Sequence, residues 1–484
     1  MNRTNETANK IPADLYKLMD SLLGAEKSRI FEQVGQKLDQ TFRFNPLKGG
    51  NDLLGGLLAE QGFEFEPVEG QTAVFRLRAA PFSLGKSLSH FLGHIYVQDL
   101  ASMVPPLVLA PRPGERVLDV SAAPGSKTTQ MAAMMNNQGV ILGNDVVLKR
   151  LRSLTTNLQR MGVLNTTLFK WFGEQFGNQY FEQFDRVLLD PACSGLGTLH
   201  KSPEVLSWWT RPYCAKLSLS QKKLIASAIK ALRPGGVMTY STCTLTPEEN
   251  EGVVDYALRN FPVVLETIKL PGLKTRPGLT RFEGEQYSPD IRKAVRIYPF
   301  ENQTEGFFIA RLRKTMALEP PALKKPRSRV QMEFQTHKTS PVKKYLDFLS
   351  EHFQIPREEF GRYVYSFRNK IVAVSKEMAE IPYFGRPLQF GLTIGRAMDR
   401  GAKFSTEGCH LLGGTARHMV LDLPDLETLE RFVNRETLNL DVKGRGQVIV
   451  KYRNCPIGYG ICEDDRLRSS FPKAGWSFRL TPGD

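Results

Sequence analysis

Two apolar segments of the chain end at cysteines and could carry nucleophilic chemistry. The stretch DRVLLDPACSGLG, residues 185–197, places Asp190 and Cys193 in a small-residue loop, and VMTYSTCTL, residues 237–245, ends a second apolar run at Cys243. If both runs are strands of one sheet, the two thiols face one cleft. A thiolate is a strong nucleophile and a good leaving group, so the pattern predicts covalent catalysis by one cysteine. The alternative is that both cysteines are small buried hydrophobic residues.

A loop of small residues, SAAPGSK at 121–127, follows an earlier apolar strand and precedes a helical pattern. Serines at 121 and 126 stand where a P-loop needs glycines, and the loop's only glycine rules out the dinucleotide fingerprint, so an ATPase is disfavoured. Such a loop still lets a ligand approach the backbone closely. Asp145, after the next strand, is placed to accept hydrogen bonds from ribose hydroxyls. A tight turn with an exposed aspartate is the alternative.

The order of elements positions these loops. From Glu115 onward, apolar strands alternate with helical patterns, which predicts a parallel, doubly wound α/β sheet with right-handed crossovers. Residues 306–314 are expected to close the sheet as an antiparallel strand. We predict an N-terminal α+β accessory domain at 1–105, a catalytic domain at 106–316, a linker at 317–330 and a C-terminal β-rich region at 331–484. The linker is rich in proline and carries the basic residues Lys324, Lys325, Arg327 and Arg329.

Composition indicates the class of partner and the compartment. Lysine and arginine outnumber acidic residues 65 to 50 in the 484-residue chain, and this net charge of +15 favours a polyanion such as nucleic acid. The alternative is that the excess of lysine and arginine only prevents aggregation of the protein. The six cysteines include no CxxC pair and no zinc-ligand spacing, so we expect neither disulfides nor a metal. The chain has no signal-peptide pattern and no apolar run of about 18 residues, which predicts a cytoplasmic protein that does not enter membranes.

Five ordered motifs resemble one known family. LDVSAAPGSKTTQMA, NDVVLKR, LLDPACSGLG, TYSTCTLTPEENE and EGFFIARLRK resemble, in order and spacing, RNA (cytosine-5) methyltransferases of the Sun/NSUN type. RFNPLK and YVQDLASM extend the similarity upstream. PIGYG and RLRSSFP extend it into the tail, which is most similar to that of bacterial RsmF-like 16S rRNA enzymes.

The resemblance implies a Rossmann-like sheet of the class I methyltransferase type, with N-terminal and C-terminal RNA-binding regions, the latter PUA-like. It implies S-adenosyl-L-methionine as methyl donor and RNA as partner, with 16S rRNA or the small ribosomal subunit expected and a monomer as the oligomeric state. It also implies Cys243 as nucleophile, Cys193 as an aid to product release and Asp190 as the acid facing the base. The implied donor-binding residues are Ser121, Ala122, Ala123, Pro124, Gly125, Ser126, Lys127, Asp145, Phe172 and Asp190.

The chain departs from the family pattern at two places. Pro191 and Ala192 stand in the reverse of the usual Ala-Pro order, which changes the backbone restriction beside Cys193. Phe172-Gly173 replaces the usual Asp-Gly after the third strand, so stacking by Phe172, or help from Glu174, is expected to substitute for the carboxylate.

Two further features bear on the site. Thr246-Pro247-Glu248-Glu249 reads as a capping box that starts a helix three residues after Cys243, and a helix N-terminus there would lower the pKa of the thiol. His200, Lys201, Trp208 and Trp209 are candidates for RNA contact, although such tryptophans are more often core residues. The remaining cysteines, Cys214, Cys409, Cys455 and Cys462, are expected to be buried and inert.

Other functions stay open from the sequence. The same core would serve a tRNA or DNA cytosine methyltransferase, and a DNA enzyme would use Cys193 as the nucleophile, which the altered Pro-Ala order disfavours. An inactive RNA-binding assembly factor that has lost donor binding through Phe172 is the remaining alternative.

Overall fold

The structure is a computed structural model that describes residues 11–71, 73–321, 328–399, 401–439, 444–464 and 466–473. The predicted linker residues Lys324, Lys325 and Arg327 lie outside these ranges, and Arg329 begins a short strand. Within the described ranges, no helix combines the length and the apolar character needed to cross a membrane.

The N-terminal region pairs a small antiparallel sheet with short helices. The sheet has the strand order β2-β3-β1-β4. Its elements are α1 (Ala13–Leu23), α2 (Lys27–Glu32), β1 (Thr41–Phe44), α3 (Asn51–Glu60), β2 (Glu64–Pro67), β3 (Val74–Ala79), α4 (Leu88–Phe91), β4 (Ile95–Val97) and α5 (Leu100–Leu109). Aromatic side chains of β1 to β3, including Phe42, Phe44 and Phe75, pack against one another and form its core.

The central region alternates strands and helices, as the sequence predicts. Its elements are β5 (Arg116–Asp119), α6 (Ser126–Met134), β6 (Val140–Asn144), α7 (Leu148–Arg160), β7 (Thr166–Phe169), α8 (Phe176–Gln179), β8 (Phe184–Leu189), α9 (Val205–Trp208), α10 (Arg211–Ala231), β9 (Leu232–Thr242), α11 (Glu251–Asn260), β10 (Val263–Glu266), β11 (Arg276–Pro277), β12 (Arg281–Phe282), β13 (Glu285–Gln286), β14 (Val295–Ile297), α12 (Pro299–Asn302) and β15 (Phe307–Lys314).

These strands form the doubly wound sheet that was predicted. The order is β11-β14-β15-β9-β8-β5-β6-β7, and the five strands from β9 to β7 run parallel. β15 pairs antiparallel with β9, which confirms the predicted closing strand. Buried apolar side chains cover both faces of the parallel strands, as expected where helices pack on each side. The carboxyl ends of β5, β6, β8 and β9 therefore open toward one edge, where the motif loops lie.

The C-terminal region contains a four-stranded and a five-stranded β-sheet together with several helices. Its elements are β16 (Arg329–Val330), α13 (Val342–Phe353), α14 (Arg357–Phe360), β17 (Val364–Phe367), β18 (Lys370–Val374), β19 (Tyr383–Phe384), β20 (Gln389–Phe390), β21 (Leu392–Met398), β22 (Gly401–Phe404), α15 (Thr406–Leu412), β23 (Val420–Leu423), α16 (Leu426–Val433), β24 (Thr437–Asn439), β25 (Gly446–Tyr452), β26 (Cys455–Glu463) and β27 (Arg466–Ser469). One sheet has the order β17-β18-β21-β22 and a second has β23-β25-β26-β27-β24.

Two features of this region bear on the sequence expectations. β25 and β26 pair antiparallel and form a hairpin within the region expected to be rich in β structure. In contrast, β20 pairs with β7 and extends the central sheet, which nothing in the sequence indicated. This pairing is supported by Gln159 of α7, whose side chain donates to the carbonyl of Gly391 at 2.9 Å and accepts from the amide of Thr393 at 3.2 Å.

Candidate active site

The two cysteines of the strand-end motifs are in direct contact. Cys193 lies in the loop after β8, Cys243 directly follows β9, and their Sγ atoms are 3.2 Å apart. Both thiols are half-buried and line one cleft of about 600 Å³, together with Asp190. The volume lies in the usual range for small-molecule sites. The neighbouring parallel strands thus bring together the three residues that could do the chemistry.

The surroundings of the two sulfur atoms make them chemically different. The hydrogen bond from Cys193 lowers the pKa of the Cys243 thiol, and the positive charges of Lys127 and Lys201 act in the same direction. The same hydrogen bond raises the pKa of Cys193, as do its burial and the carboxylates of Glu249 and Asp190. Cys193 therefore holds its proton more strongly than Cys243 does, and the lower pKa of Cys243 suits a nucleophile.

The predicted capping box after Cys243 is wrong. Helix α11 begins at Glu251, eight positions after Cys243, and residues 247–250 form a turn in which no side chain caps the helix. The side chain of Glu249 instead accepts hydrogen bonds from the Ser194 amide at 3.0 Å and from Gln221 Nε2 at 2.9 Å. A helix N-terminus therefore does not explain the low pKa of Cys243.

The acidic turn anchors the two cysteine loops to each other. Gln221 also donates to the carbonyl of Ala192 at 3.0 Å, and the Ser194 hydroxyl lies 2.7 Å from that of Thr244. On the Cys243 side, Asn250 Nδ2 donates to the carbonyl of Thr244 at 3.0 Å. These side chains were not predicted as site residues, because most of their contacts join segments 28 to 55 positions apart in the chain.

Asp190 is held in the cleft by two side chains. Lys127 Nζ lies 2.8 Å from its Oδ2 atom, and the Ser241 hydroxyl donates to Oδ1 at 2.7 Å. Burial lowers the pKa of Lys127, but the Asp190 carboxylate outweighs that effect and raises it. Lys127 therefore stays protonated, and it connects the small-residue loop with the cysteine loops.

The loop of residues 121–127 forms one wall of the cleft. Ser121, Ala122, Ala123, Pro124, Ser126 and Lys127 line it. Gly125 does not: it adopts φ +108°, and a Cβ there would lie 2.6 Å from Leu154 Cδ1 of α7. Glycine is needed at 125 for the backbone conformation and for the close approach of α7, while its neighbours face the ligand space.

Asp145 and Phe172 lie at the other end of the cleft, where the sequence placed them. The Asp145 carboxylate is nearly buried, accepts a hydrogen bond from the Val147 amide at 2.9 Å and pairs with Arg150 at 3.0 Å. Phe172 is 68% exposed beside Val146 and Leu224. Glu174 also lines this end. The cleft thus carries charged side chains along its whole length, and Phe172 adds an exposed aromatic ring at the end away from the thiols.

Arg43, in the RFNPLK motif, anchors the cleft from the N-terminal region. Its buried guanidinium donates to the Ser126 carbonyl at 3.1 Å, to Thr129 Oγ1 at 2.8 Å and to Gln98 Oε1 at 3.1 Å. These bonds fix the first turn of α6, directly after the small-residue loop. Both upstream motifs therefore support the site through this contact.

The candidates for RNA contact fall into two groups. Trp209 is buried in the core, whereas Trp208 is 47% exposed. The exposed Lys201 pairs with the buried Glu305. His200, Asp99 and Glu305 have side-chain atoms close enough to share a cation, but Asp99 already accepts from the Ala101 amide and the Thr304 hydroxyl. RNA contact by these side chains stays a prediction. The other four cysteines are buried, as expected.

Asp119 is a buried titratable group beneath the loop. It ends β5, is 1% exposed and accepts a hydrogen bond from Thr128 Oγ1 at 2.7 Å. Burial raises its pKa to about 7, compared with about 4 in an unfolded chain. The folded protein therefore keeps a proton that the unfolded chain releases. The contribution of Asp119 to stability is complete below about pH 4 and is lost as the pH rises through 7.

We expect Asp119→Asn to flatten this pH dependence. The wild type should lose up to about 4 kcal/mol more unfolding free energy than the variant over that interval. Guanidinium denaturation of both proteins near pH 4.5 and near pH 8 measures the difference. Equal losses in the two proteins would show that Asp119 does not hold the extra proton.

Comparison with known proteins identifies the family. Residues 106–313 match the family described as 16S rRNA methyltransferase RsmB/F, and residues 421–475 match the PUA domain of methyltransferase RsmF. Ribosomal RNA small subunit methyltransferase F of Vibrio atlanticus (strain LGP32) is 33% identical over 473 residues, covering 96% of this chain and 97% of that protein. The chain belongs to the RsmB/F methyltransferase family. It is therefore a methyltransferase, as the motifs indicated.

Other members of this wider group share only part of the chain. A tRNA (cytosine(49)-C(5))-methyltransferase of Pyrococcus abyssi is 40% identical over 307 residues, covering 63% of this chain and 96% of that protein. A methyltransferase homologue from Pyrococcus horikoshii has a TM-score of 0.58 at 38% identity, covering 65% of this chain and 99% of that one. NSun6 from the same organism, solved with SFG, an S-adenosylmethionine analogue, has a TM-score of 0.56 at 25% identity, covering 63% and 98%. The similarity to the full-length RsmF relative includes the C-terminal region that these shorter matches leave out.

Proposed function

We propose that the protein methylates C5 of a cytosine in RNA, with 16S rRNA or the small ribosomal subunit as substrate and S-adenosyl-L-methionine as donor. The observation that carries the proposal is the 3.2 Å contact between Cys193 and Cys243 beside Asp190 in a ligand-sized cleft. The RsmF relative that matches nearly the whole chain favours rRNA over other RNA. An rRNA substrate would place the activity in the cytoplasm.

The cleft fits the proposed donor in shape and chemistry. The small side chains of residues 121–126 leave room for a ligand against the backbone, and Asp145 offers carboxylate oxygens for ribose hydroxyls. Phe172, with Val146 and Leu224, offers an apolar surface for adenine at the end away from the thiols. S-adenosylmethionine supplies the methyl group when bound. Lys127 and Asp190 then lie between the donor loop and the two cysteines.

The proposed chemistry begins at Cys243. Its thiolate adds to C6 of cytosine, forming an S–C6 bond and moving the C5–C6 electron pair toward C5, which can then accept a methyl group. Asp190 faces N3; after taking up a proton from solvent as the base binds, it donates that proton to N3 and so neutralises the negative charge that develops on the ring. After methylation a base takes the C5 proton, the double bond re-forms, and the S–C6 electron pair returns to Cys243. Cys193, in contact with that sulfur, assists this release. A paired cytosine must leave its stack before Cys243 can reach C6.

A tRNA substrate is the second candidate, because the Pyrococcus abyssi relative has the higher identity over the matched part of the chain. The test incubates the protein with methyl-labelled S-adenosylmethionine and unmethylated 16S rRNA, small subunits or tRNA, and identifies the labelled nucleoside. We expect 5-methylcytosine in rRNA or in the subunit. Label confined to tRNA would select the second candidate. Transfer to no RNA, with donor binding intact in a thermal-shift assay, would contradict the proposal and favour a binding factor.

We expect Phe172→Ala to weaken donor binding. Removing an aromatic surface that stacks on adenine should raise the Kd for S-adenosylmethionine roughly threefold to tenfold. Isothermal titration calorimetry measures this change, and Trp208→Ala is the matched control, because Trp208 is a similarly exposed aromatic residue that does not line the cleft. An unchanged Kd for Phe172→Ala, or equal weakening in the control, would contradict stacking at this position.

A further inference from the structure

The two thiols of the cleft are close enough for one oxidation event to join them. Cys193 and Cys243 are free thiols whose Sγ atoms are 3.2 Å apart. The sulfur atoms of a disulfide are about 2.0 Å apart, so these two need to approach by only about 1 Å. Both thiols are half-buried and line the cleft of about 600 Å³, which admits a molecule as small as hydrogen peroxide. Contact and access therefore occur together at this pair.

Backbone contacts hold the two cysteine loops side by side. The Gly197 amide donates to the Cys243 carbonyl at 2.9 Å, and the Gly197 carbonyl accepts from the Gly306 amide at 2.9 Å. A Cβ at Gly197 would lie 2.0 Å from the Gly306 oxygen and 2.8 Å from the Cys243 oxygen, so this approach requires glycine. The Ser194 hydroxyl also lies 2.7 Å from that of Thr244. None of these contacts involves a sulfur atom, so closing a bond between the thiols leaves them in place.

The two thiols differ from the other cysteines in reactivity toward oxidants. A thiolate reacts with peroxide much faster than a thiol does. The hydrogen bond from Cys193 lowers the pKa of Cys243, and the charges of two nearby lysines act in the same direction. In contrast, burial raises the pKa of Cys214 to about 12 and that of Cys455 to about 11. Cys243 is therefore the thiol that we expect to react first, with Cys193 in contact to resolve the product.

We propose that Cys193 and Cys243 are a redox modification site, where hydrogen peroxide or another small hydroperoxide forms a reversible disulfide that stops methyl transfer. The loss of activity rests on the proposed function, because it takes Cys243 as the nucleophile, whereas formation of the disulfide does not. Disulfides in reducing compartments are usually transient and redox-sensing, and a low-pKa cysteine beside a resolving cysteine is the usual form of such a sensor.

The reaction oxidises each sulfur by one electron and reduces the peroxide by two. The Cys243 thiolate attacks one peroxide oxygen: an S–O bond forms, the O–O bond breaks, and hydroxide leaves and takes a proton from solvent, which produces a sulfenic acid and water. The hydrogen bond to the Cys243 thiolate and its negative charge, which raise the pKa of Cys193, are lost at this step. Cys193 then gives up its proton and attacks the Cys243 sulfur. The S–S bond forms, the S–O bond breaks, and the second hydroxide leaves with that proton as water.

The test treats the full chain with a small molar excess of hydrogen peroxide. Remaining thiols are then blocked under denaturing conditions, and peptide mass spectrometry locates any disulfide. The wild type is compared with Cys193→Ala, Cys243→Ala and the matched control Cys455→Ala, which removes a buried thiol that does not line the cleft. Thermal melting before treatment checks that each variant folds. Methyl transfer to unmethylated 16S rRNA is measured before treatment, after it, and after addition of dithiothreitol.

We expect the wild type to lose two of its six thiols in a disulfide between Cys193 and Cys243, and to regain both thiols and methyl transfer with dithiothreitol. Cys455→Ala should form the same disulfide and recover in the same way. Cys243→Ala should lose thiols roughly tenfold more slowly, because it lacks the most acidic thiol. In Cys193→Ala, Cys243 should proceed to the sulfinic acid, which dithiothreitol does not reverse.

Three results would overturn the inference. They are sulfinic acid at Cys243 with Cys193 still free in the wild type, equal rates of thiol loss in the wild type and Cys243→Ala, and a disulfide that leaves methyl transfer unchanged. The first and third need only the wild type, so they stand even if a variant fails to fold. A wild type that forms the disulfide but methylates no RNA when reduced would support the modification site and contradict the proposed function alone.

Discussion

Cys243→Ala is expected to lower methyl transfer by more than about 10³-fold and to abolish the denaturant-resistant protein–RNA adduct, because the pKa of Cys193, the other thiol that lines the cleft, is raised and makes it a poor nucleophile. Cys193→Ala should keep adduct formation but accumulate the adduct, since the residue in contact with the Cys243 sulfur is then missing at release. Adduct is measured on denaturing gels with RNA and labelled donor.

The pH dependence of the Cys193 variant adds a second readout. Cys193 lowers the pKa of Cys243 by donating a hydrogen bond to it. Without that bond, the thiolate of Cys243 is less favoured, so the acid limb of the rate of adduct formation should move to higher pH. Cys455→Ala, which removes a buried thiol far from the cleft in sequence and outside its lining, is the control. Loss of adduct in Cys193→Ala with retention in Cys243→Ala would reverse the two roles.

The parts of the site that could be predicted are those fixed by strand order. In a doubly wound sheet, residues that follow neighbouring parallel strands must meet at one edge. Asp145, Asp190, Cys193 and Cys243 each follow a strand, and strand prediction depends only on local apolar runs. The contact between the two cysteines therefore follows from topology, without knowledge of any side-chain packing.

The parts that could not be predicted depend on contacts between distant segments. Thr246 to Glu249 satisfies the local rule for a capping box, but the Ser194 amide and Gln221 provide partners for Glu249 across the sheet. These tertiary contacts override the local preference for a helix, and α11 begins only at Glu251. In the same way, Arg43 is one arginine among many in the sequence, and only the packing of β1 against α6 brings it to the end of the small-residue loop.

A fully buried ion pair joins Glu251, the first residue of α11, to Arg296 on β14, and its loss has a large expected effect on stability. Glu251 is 0% exposed and Arg296 is 1% exposed. Arg296 Nε donates to Glu251 Oε1 at 2.7 Å, and Nη1 donates to the carbonyl of Leu245 at 3.0 Å. Leu245 is two residues after Cys243, the proposed nucleophile. The pair therefore has two separable roles, in stability and in holding the Cys243 loop.

We expect Arg296→Met to reduce the unfolding free energy by about 3 to 5 kcal/mol, because it leaves the Glu251 carboxylate buried without its partner. The melting temperature should fall by about 3 to 5 °C if the whole chain unfolds as one unit. Arg276→Met is the matched control, since Arg276 makes ion pairs with Glu26 and Glu301 in a more exposed position, where loss of a pair amounts to about 1 kcal/mol or less. Equal losses in the two variants would show that burial of the Arg296 pair has no special effect.

The double variant Glu251→Gln/Arg296→Met separates stability from positioning. Removing the carboxylate charge together with the guanidinium eliminates the unpaired buried charge, so much of the lost stability should return. The Leu245 carbonyl, however, still lacks its hydrogen-bond donor in the double variant. The loop that carries Cys243 therefore remains without this anchoring contact. We therefore expect kcat measured well below the melting temperature to stay reduced in the double variant. Full recovery of kcat alongside stability would mean that Arg296 acts only on the fold and does not position the nucleophile.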